Sequence, residues 1–368
     1  MRLIDCDVHV RWNSLDELGQ YLDEPWRSRL LRGYISYAHN GYPHPFDTRR
    51  HDAIPPGGGS PGSDPHFTVE DLIERYNMDF VVLVGESSHL AISNLANPNW
   101  AAALASAYND WMINRWFSAD ERFLGSIFVA TQDPETAARE IERVADHPQF
   151  VQVALGSGTR FPYGQRYYHP IYAAAERHGL PIAIHPFTEG AGIAYAPTAA
   201  GYPSHYIEFH TCIPGSLQVH LVSMICEGIF ETFPGLKLVI MEGGISWLPS
   251  LLWRLDKNWK SLRSEVPWVK RKPSDYAADH VRLTTQPLEE PEHPRHLRQI
   301  LDMFPAERML MFSSDYPHWD SDNPTRVLSH FPKDMQRRIS AENARQLYGL
   351  PDHVRRADPA PVASPPQP

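Results

Sequence analysis

Eight short apolar runs, each followed by a stretch with helical character, set the strongest limit on what this chain can fold into. They span residues 2–7, 79–85, 122–130, 150–155, 180–185, 236–242, 280–284 and 308–314. Most are continuously apolar rather than alternating, as expected of strands buried on both faces. Strand and helix in strict alternation imply βαβ units and a parallel sheet, and eight such units close a (β/α)8 TIM barrel. The intervening stretches carry helix signals. Asp133-Pro134-Glu135 supplies an N-cap, a first-turn proline and an early acid ahead of residues 137–144, and Gly179 stops the helix expected over 170–178. Helices are also expected over 99–117, 217–233 and 340–348.

Two connections are long for loops that follow barrel strands, 13–71 after the first strand and 187–215 after the fifth. Loops of that length act as lids or binding loops more often than as filler. The expected organisation is one barrel domain over residues 1–356 and a disordered Pro/Ala-rich tail over 357–368.

Charge and cysteine content narrow the function. A net charge of -10, with no runs of Lys or Arg, leaves no electrostatic footprint for nucleic acid or an anionic membrane. Cys6, Cys212 and Cys226 form no C-x-x-C pair, so neither a disulfide framework nor a zinc finger is expected. Few cysteines, no signal-peptide pattern and no apolar run of bilayer length lead to the expectation of a cytoplasmic protein.

Barrels of this kind carry their chemistry at the C-terminal ends of the strands. The first strand ends Asp7-Val8-His9, and residues two apart on a strand share a face. The fifth ends in His185, the sixth in Glu242 before Gly243-Gly244, and the eighth in Asp315. Singly, each has a plain explanation: a weak D-x-H match, a hydrogen-bonded core histidine, a solvated loop acid, a helix cap. Ionisable groups ending four apolar strands in barrel register are costly unless paired or metal-bound, which favours a shared ion. His205, Glu208 and His210 lie in the insertion after the fifth strand, and His210 is a candidate ligand for a second ion, or else a surface-loop histidine. His318 and Trp319 follow Asp315, as a proton-transfer group and a substrate contact or as solvated loop residues. Trp247 either walls a pocket or packs on the helix that starts there, and Gln286 ends the seventh strand as a candidate substrate contact. Arg160 is a weaker candidate, and Cys6 is expected behind the site rather than as a nucleophile.

The segments IDCDVH, LPIAIHPF, LKLVIMEGGISWLPSLLWRLDK, VRLTTQP, MLMFSSDYPHWD and ENARQLYGL resemble the amidohydrolase-related family that includes aminocarboxymuconate-semialdehyde decarboxylase and the resorcylate-type decarboxylases. The resemblance implies the (β/α)8 fold and a divalent metal held by Asp7, His9, His185 and Asp315. It also implies dimers or larger assemblies, with itself or with a related subunit. One departure stands out: these relatives carry His-Gly-Gly after the sixth strand, where this chain has Glu242-Gly243-Gly244. A small Glu-Gly-Gly branch that this chain resembles consists of dinuclear Fe or Fe/Mn oxygenases. The leading expectation is therefore an O2-dependent hydroxylase, a monooxygenase acting on an unactivated carbon of a carboxylic acid or acyl substrate. Its two Fe or Mn ions would be held by Asp7, His9, His185, His210, Glu242 and Asp315. The alternative is a mononuclear Zn or Mn hydrolase or nonoxidative decarboxylase of a small carboxylic acid, with Glu242 as acid/base.

Overall fold

The computed structural model describes residues 2–32 and 49–352, without the side chains of Ser87 and Ser88. The tail expected over 357–368, and part of the first insertion, lie outside the described residues. Eight parallel strands pair in chain order, as expected: β1 (Leu3–Val10), β2 (Met78–Gly85), β3 (Phe123–Phe128), β4 (Phe150–Gly156), β5 (Ile182–His185), β6 (Leu238–Ile240), β7 (Val281–Thr284) and β8 (Leu310–Met311). The ring closes between β8 and β1, where Cys6 N donates to Phe312 O at 2.9 Å and Val8 bridges Tyr316 in parallel. Every residue of β1, β3 and β4 is buried, as continuous apolar runs require between a packed barrel interior and an outer helical ring.

The regular strands are shorter than the apolar runs, most of all at β6 and β8. Glu242 leaves β6 with φ 49° and Asp315 follows β8 with φ 59°. A non-glycine residue in the left-handed region turns the chain out of the strand direction, so the regular strands end before each acid, and past Asp315 the chain meets β1 again at the Val8–Tyr316 bridge. The helix expected over 217–233 is likewise divided into Pro214–Cys226 and Ile229–Thr232 by Gly228 at φ 74°. Other helices follow their local signals. Asp133 caps Pro134–Val144 by accepting from Thr136 N at 3.2 Å. Pro98–Trp111 packs Trp100, Tyr108 and Trp111 fully against the barrel wall.

Two buried histidines are held neutral. Burial keeps the His220 imidazole down at about 4 and the His89 imidazole down at about 3. Tyr163 N donates to Nδ1 of His220, whose Nε2 donates to Ser157 O at 2.7 Å. His89 stacks on Trp12 with ring centroids 3.9 Å apart. The unfolded chain binds protons at these positions below about pH 6.5 and the folded chain does not. Their contribution to stability is therefore full above about pH 6.5 and falls as pH drops toward 4, by about 1.4 kcal/mol per pH unit per histidine. In urea unfolding with chelator present, the midpoint is expected to fall between pH 7 and pH 5, and to fall less in His220→Gln. An equal fall in both proteins would remove His220 from this account.

Candidate metal centre

The mouth of the barrel gathers the strand-end residues into one group. Asp7, His9, His185 and Glu242 each offer a ligand atom within 4.8 Å of the others, and all four are buried. His9 Nε2 lies 3.5 Å from Asp7 Oδ1, and His185 Nε2 lies 3.1 Å from Glu242 Oε2 and 3.8 Å from Asp7 Oδ2. Asp315 joins from the other side of His9, with Oδ1 3.0 Å from His9 Nε2. It forms a second group with His9 and His318.

Local geometry accounts for the convergence. Asp7 and His9, two apart on β1, both reach the barrel axis. Glu242 and Asp315 reach it by turning out of the strand direction at positive φ, a strained arrangement of the kind that collects at functional sites. The turn after Glu242 depends on Gly244, at φ 64°, where a Cβ would stand 2.6 Å from Glu289 Oε1. Glu289 in turn accepts from Ile245 N at 3.0 Å and Ser246 N at 2.9 Å, ahead of the helix Trp247–Leu262.

The donor set fits a divalent cation on three counts. The outer ring nitrogens are occupied, His9 Nδ1 facing Gly85 O and His185 Nδ1 facing Pro186 O, each at 3.1 Å. That fixes each ring so that Nε2 points inward, the usual arrangement of ligating histidines. Next, Nε2 of both histidines, both oxygens of Asp7, Glu242 Oε2 and Asp315 Oδ2 are buried without a hydrogen-bond partner. Buried polar atoms so clustered and unpartnered are costly unless something bridges them. Finally, charge is short. Burial, aided by the neighbouring carboxylates, pushes Asp7 and Glu242 well above the usual carboxylate range. Burial holds the His9 imidazole down at about 4, in the neutral form a ligand needs. Burial would also lower His318, but Asp315 and Glu86 outweigh it and keep that ring protonated. Burial would raise Asp315, but His318 and His9 hold it below the usual range. Three carboxylates against one imidazolium leave a deficit of two positive charges, the charge of one divalent ion.

Other expected site residues divide by place. His210, on the helix Tyr206–Cys212, lines the cavity above the group. Its Nε2 faces Asp320 Oδ2 at 3.6 Å, outside the compact donor group. His205 and Glu208 are exposed and cap that helix, with Glu208 accepting from His205 N at 2.7 Å. His318 and Trp319 line the cavity with Phe187 and Tyr206. Trp247 and Gln286, expected as substrate contacts, are absent from that lining. The Trp247 indole donates to Gly243 O at 2.8 Å and so serves the turn after Glu242, while Gln286 is fully buried with its amide directed at Asp320 O. Arg160 is exposed and stacks over Phe161. Cys6 is buried, and burial pushes its thiol well up, away from nucleophile chemistry.

Sequence reasoning missed Glu86 and Arg49, which also line the cavity. Glu86 directly follows β2, so the cue that found Asp315, an acid ending a buried strand, applies to it equally. Arg49 sits deep in an irregular insertion, where no periodic signal marks it.

Comparison with known proteins places the chain. A family model described as amidohydrolase matches residues 4–350. The chain belongs to the amidohydrolase family. It is similar to a gamma-resorcylate decarboxylase from Rhodococcus jostii, 25% identical over 267 residues, which cover 67% of this chain and 75% of that protein. It is also similar to a gamma-resorcylate decarboxylase from a Polaromonas species, 26% identical over 292 residues, covering 76% and 86%. Among solved structures, a dihydroxybenzoic acid decarboxylase from Polaromonas, with bound manganese and 2-nitroresorcinol, superposes with a TM-score of 0.65 at 19% identity. That match covers 94% of this chain and 96% of the other, and it speaks for the shared barrel alone.

These findings correct the expected function. The relatives the chain aligns with are decarboxylases, which overturns the dinuclear O2-dependent hydroxylase in favour of the alternative. His210, the residue expected to complete a two-ion set, belongs to neither donor group and faces Asp320 instead. Among the described residues, no helix is long and apolar enough to cross a membrane.

A direct check follows from the unpartnered donors. Titration of chelated protein with a divalent ion is expected to saturate at one equivalent per chain and to raise the unfolding temperature. At an ion concentration 100 times Kd the added stability is about 2.7 kcal/mol. His185→Ala and Asp7→Asn are each expected to abolish that rise, and saturation at two equivalents would count against the one-ion assignment.

Proposed function

We propose that this chain is a metal-dependent nonoxidative decarboxylase of a small aromatic or unsaturated carboxylic acid. In this reading Asp7, His9, His185 and Glu242 hold one divalent ion, manganese by analogy with the relative that carries it, and Asp315 completes the set. The observation that carries the reading is the placing, on one cavity, of the clustered strand-end donors and the imidazole of His318. Decarboxylation needs both: a hold on the carboxylate, and a proton for the carbon it leaves.

The bound ion would supply electrostatic hold on substrate oxygen and offset negative charge as it develops. Phe187, Tyr206 and Trp319 form an aromatic wall over the donor set. The enclosed space above the donors is small, about 30 Å³, so a single-ring acid would lie in the open mouth beside Tyr206 and Trp319 with only its carboxylate reaching inward. The aromatic wall favours a planar substrate. His318 donates through Nδ1 to Asp315 Oδ1 at 2.8 Å, which leaves Nε2–H as the proton to be delivered. As the carbon–carboxylate bond breaks, its electron pair stays on the ring carbon and takes that proton. Carbon dioxide leaves, and His318 recovers a proton from water. Glu242, ionised beside the cation, serves as ligand in place of the histidine found in the better-known relatives.

With manganese and a panel of hydroxybenzoates such as 2,6-dihydroxybenzoate, equal carbon dioxide release with and without O2 is expected. His318→Asn is expected to lower kcat by about 100- to 10,000-fold with metal content unchanged. Glu242→Gln is expected to lower metal content as well as turnover. Metal content unaffected by Glu242→Gln would return that residue to an acid/base role, and O2-dependent turnover would refute the proposal.

A further inference from the structure

Glu86 has no part in the proposed ion binding, yet its buried side chain lines the same cavity. It accepts two hydrogen bonds from Arg49, Nη2 to Oε2 at 2.6 Å and Nε to Oε1 at 3.2 Å. The same Oε2 lies 3.7 Å from His318 Nε2. His318 therefore stands between two carboxylates, Asp315 at Nδ1 and Glu86 at Nε2. The two contacts differ in kind. At 2.8 Å the Asp315 contact is a full hydrogen bond that anchors the ring, whereas 3.7 Å is too long for one. Glu86 thus borders the Nε2 edge of the ring without holding it.

The surroundings fix Glu86 in that position. Its backbone N donates to His89 Nδ1 at 3.2 Å, and the preceding carbonyl, Gly85 O, faces His9 Nδ1. The end of β2 therefore orients His9 and Glu86 together. Arg49 is tied in turn to the loop after β8: it bridges His318 in antiparallel fashion, and Arg50 N donates to Pro317 O at 2.9 Å. A planar guanidinium gripping Glu86 in a two-point fork leaves that carboxylate little rotational freedom.

We propose that Glu86 is a positioning residue: held by Arg49, it sets the orientation of the His318 ring at the cavity and joins the first insertion to the loop after β8. This rests on the reading of His318 as the acid. The competing role is purely structural, with Glu86 serving only to neutralise Arg49.

A double-mutant cycle of Glu86→Gln and His318→Asn separates the two. Glu86→Gln is expected to lower kcat by about 10- to 100-fold, with KM and metal content unchanged. In the His318→Asn background it is expected to cost nothing further, because its effect passes through that ring. Additive losses, or a loss in KM or metal content, would overturn the proposal. If Glu86→Gln fails to fold, Glu86→Asp keeps the charge beside Arg49 but withdraws it from His318, with the same kinetic expectation. A second readout needs no turnover: in zinc-loaded protein with 15N-labelled histidine, the His318 Nε2 resonance at fixed pH is expected to move in Glu86→Gln. No movement would refute the contact even if every acid tested proved not to be a substrate. Movement without decarboxylation would leave the contact standing and refute the reaction.

Discussion

Three carboxylates and two histidine rings meet, out of water, at the mouth of a barrel whose walls are apolar. Such a group cannot be stable by itself, because each buried charge loses its hydration and the carboxylates repel one another. The surrounding structure answers that problem at several points. Backbone carbonyls take the outer nitrogens of His9 and His185, and the His318 imidazolium offsets one negative charge. What remains is a deficit of two charges and a set of inward-facing donors with no partner. The geometry of the mouth, including two acids at positive φ, makes sense as a cradle for a cation.

Around that centre the fold separates two tasks. The strand ends supply rigid donors, while the two insertions supply what closes over them. The second insertion contributes Phe187 and the helix bearing Tyr206 and His210, and the first contributes Arg49. The clustered donors thus sit on the rigid strand ends, and the cavity lining comes from connections that vary easily. Replacement of histidine by Glu242 fits this division. A carboxylate at that place adds negative charge to the donor set and removes an imidazole from the barrel mouth, and in the proposed reaction His318 on the loop after β8 supplies the proton instead. Function in this family therefore cannot be read from a single substitution. The Glu-Gly-Gly motif by itself points to oxidative chemistry, and the whole-chain relatives point to decarboxylation.

Much of the centre was legible in the sequence because it lies where periodicity ends. Asp7 and His9 share a strand face, and His185, Glu242 and Asp315 each terminate an apolar run, so strand boundaries alone bring them to one end of the barrel. Residues on irregular segments were not legible in this way. Trp247 adjoins the motif but bonds to the backbone of its own turn, and Gln286 ends a strand but is buried beside Asp320 O. His210 could be placed near the mouth but not in the donor group, since the path of its loop sets that distance. Glu86 carried the same cue as Asp315 and was passed over one residue beyond the expected strand end.

The sequence by itself determined the barrel, the order of its strands and the five strand-end residues that gather at its mouth. Local periodicity and the pleat dictate those before any long-range contact forms. Tertiary structure alone decided which donors come within reach of one ion, that His318 stands between Asp315 and Glu86, and that Arg49 crosses from the first insertion to grip Glu86. These depend on where loops land after the ring has closed and on charges brought together from distant parts of the chain. No short-range pattern encodes either.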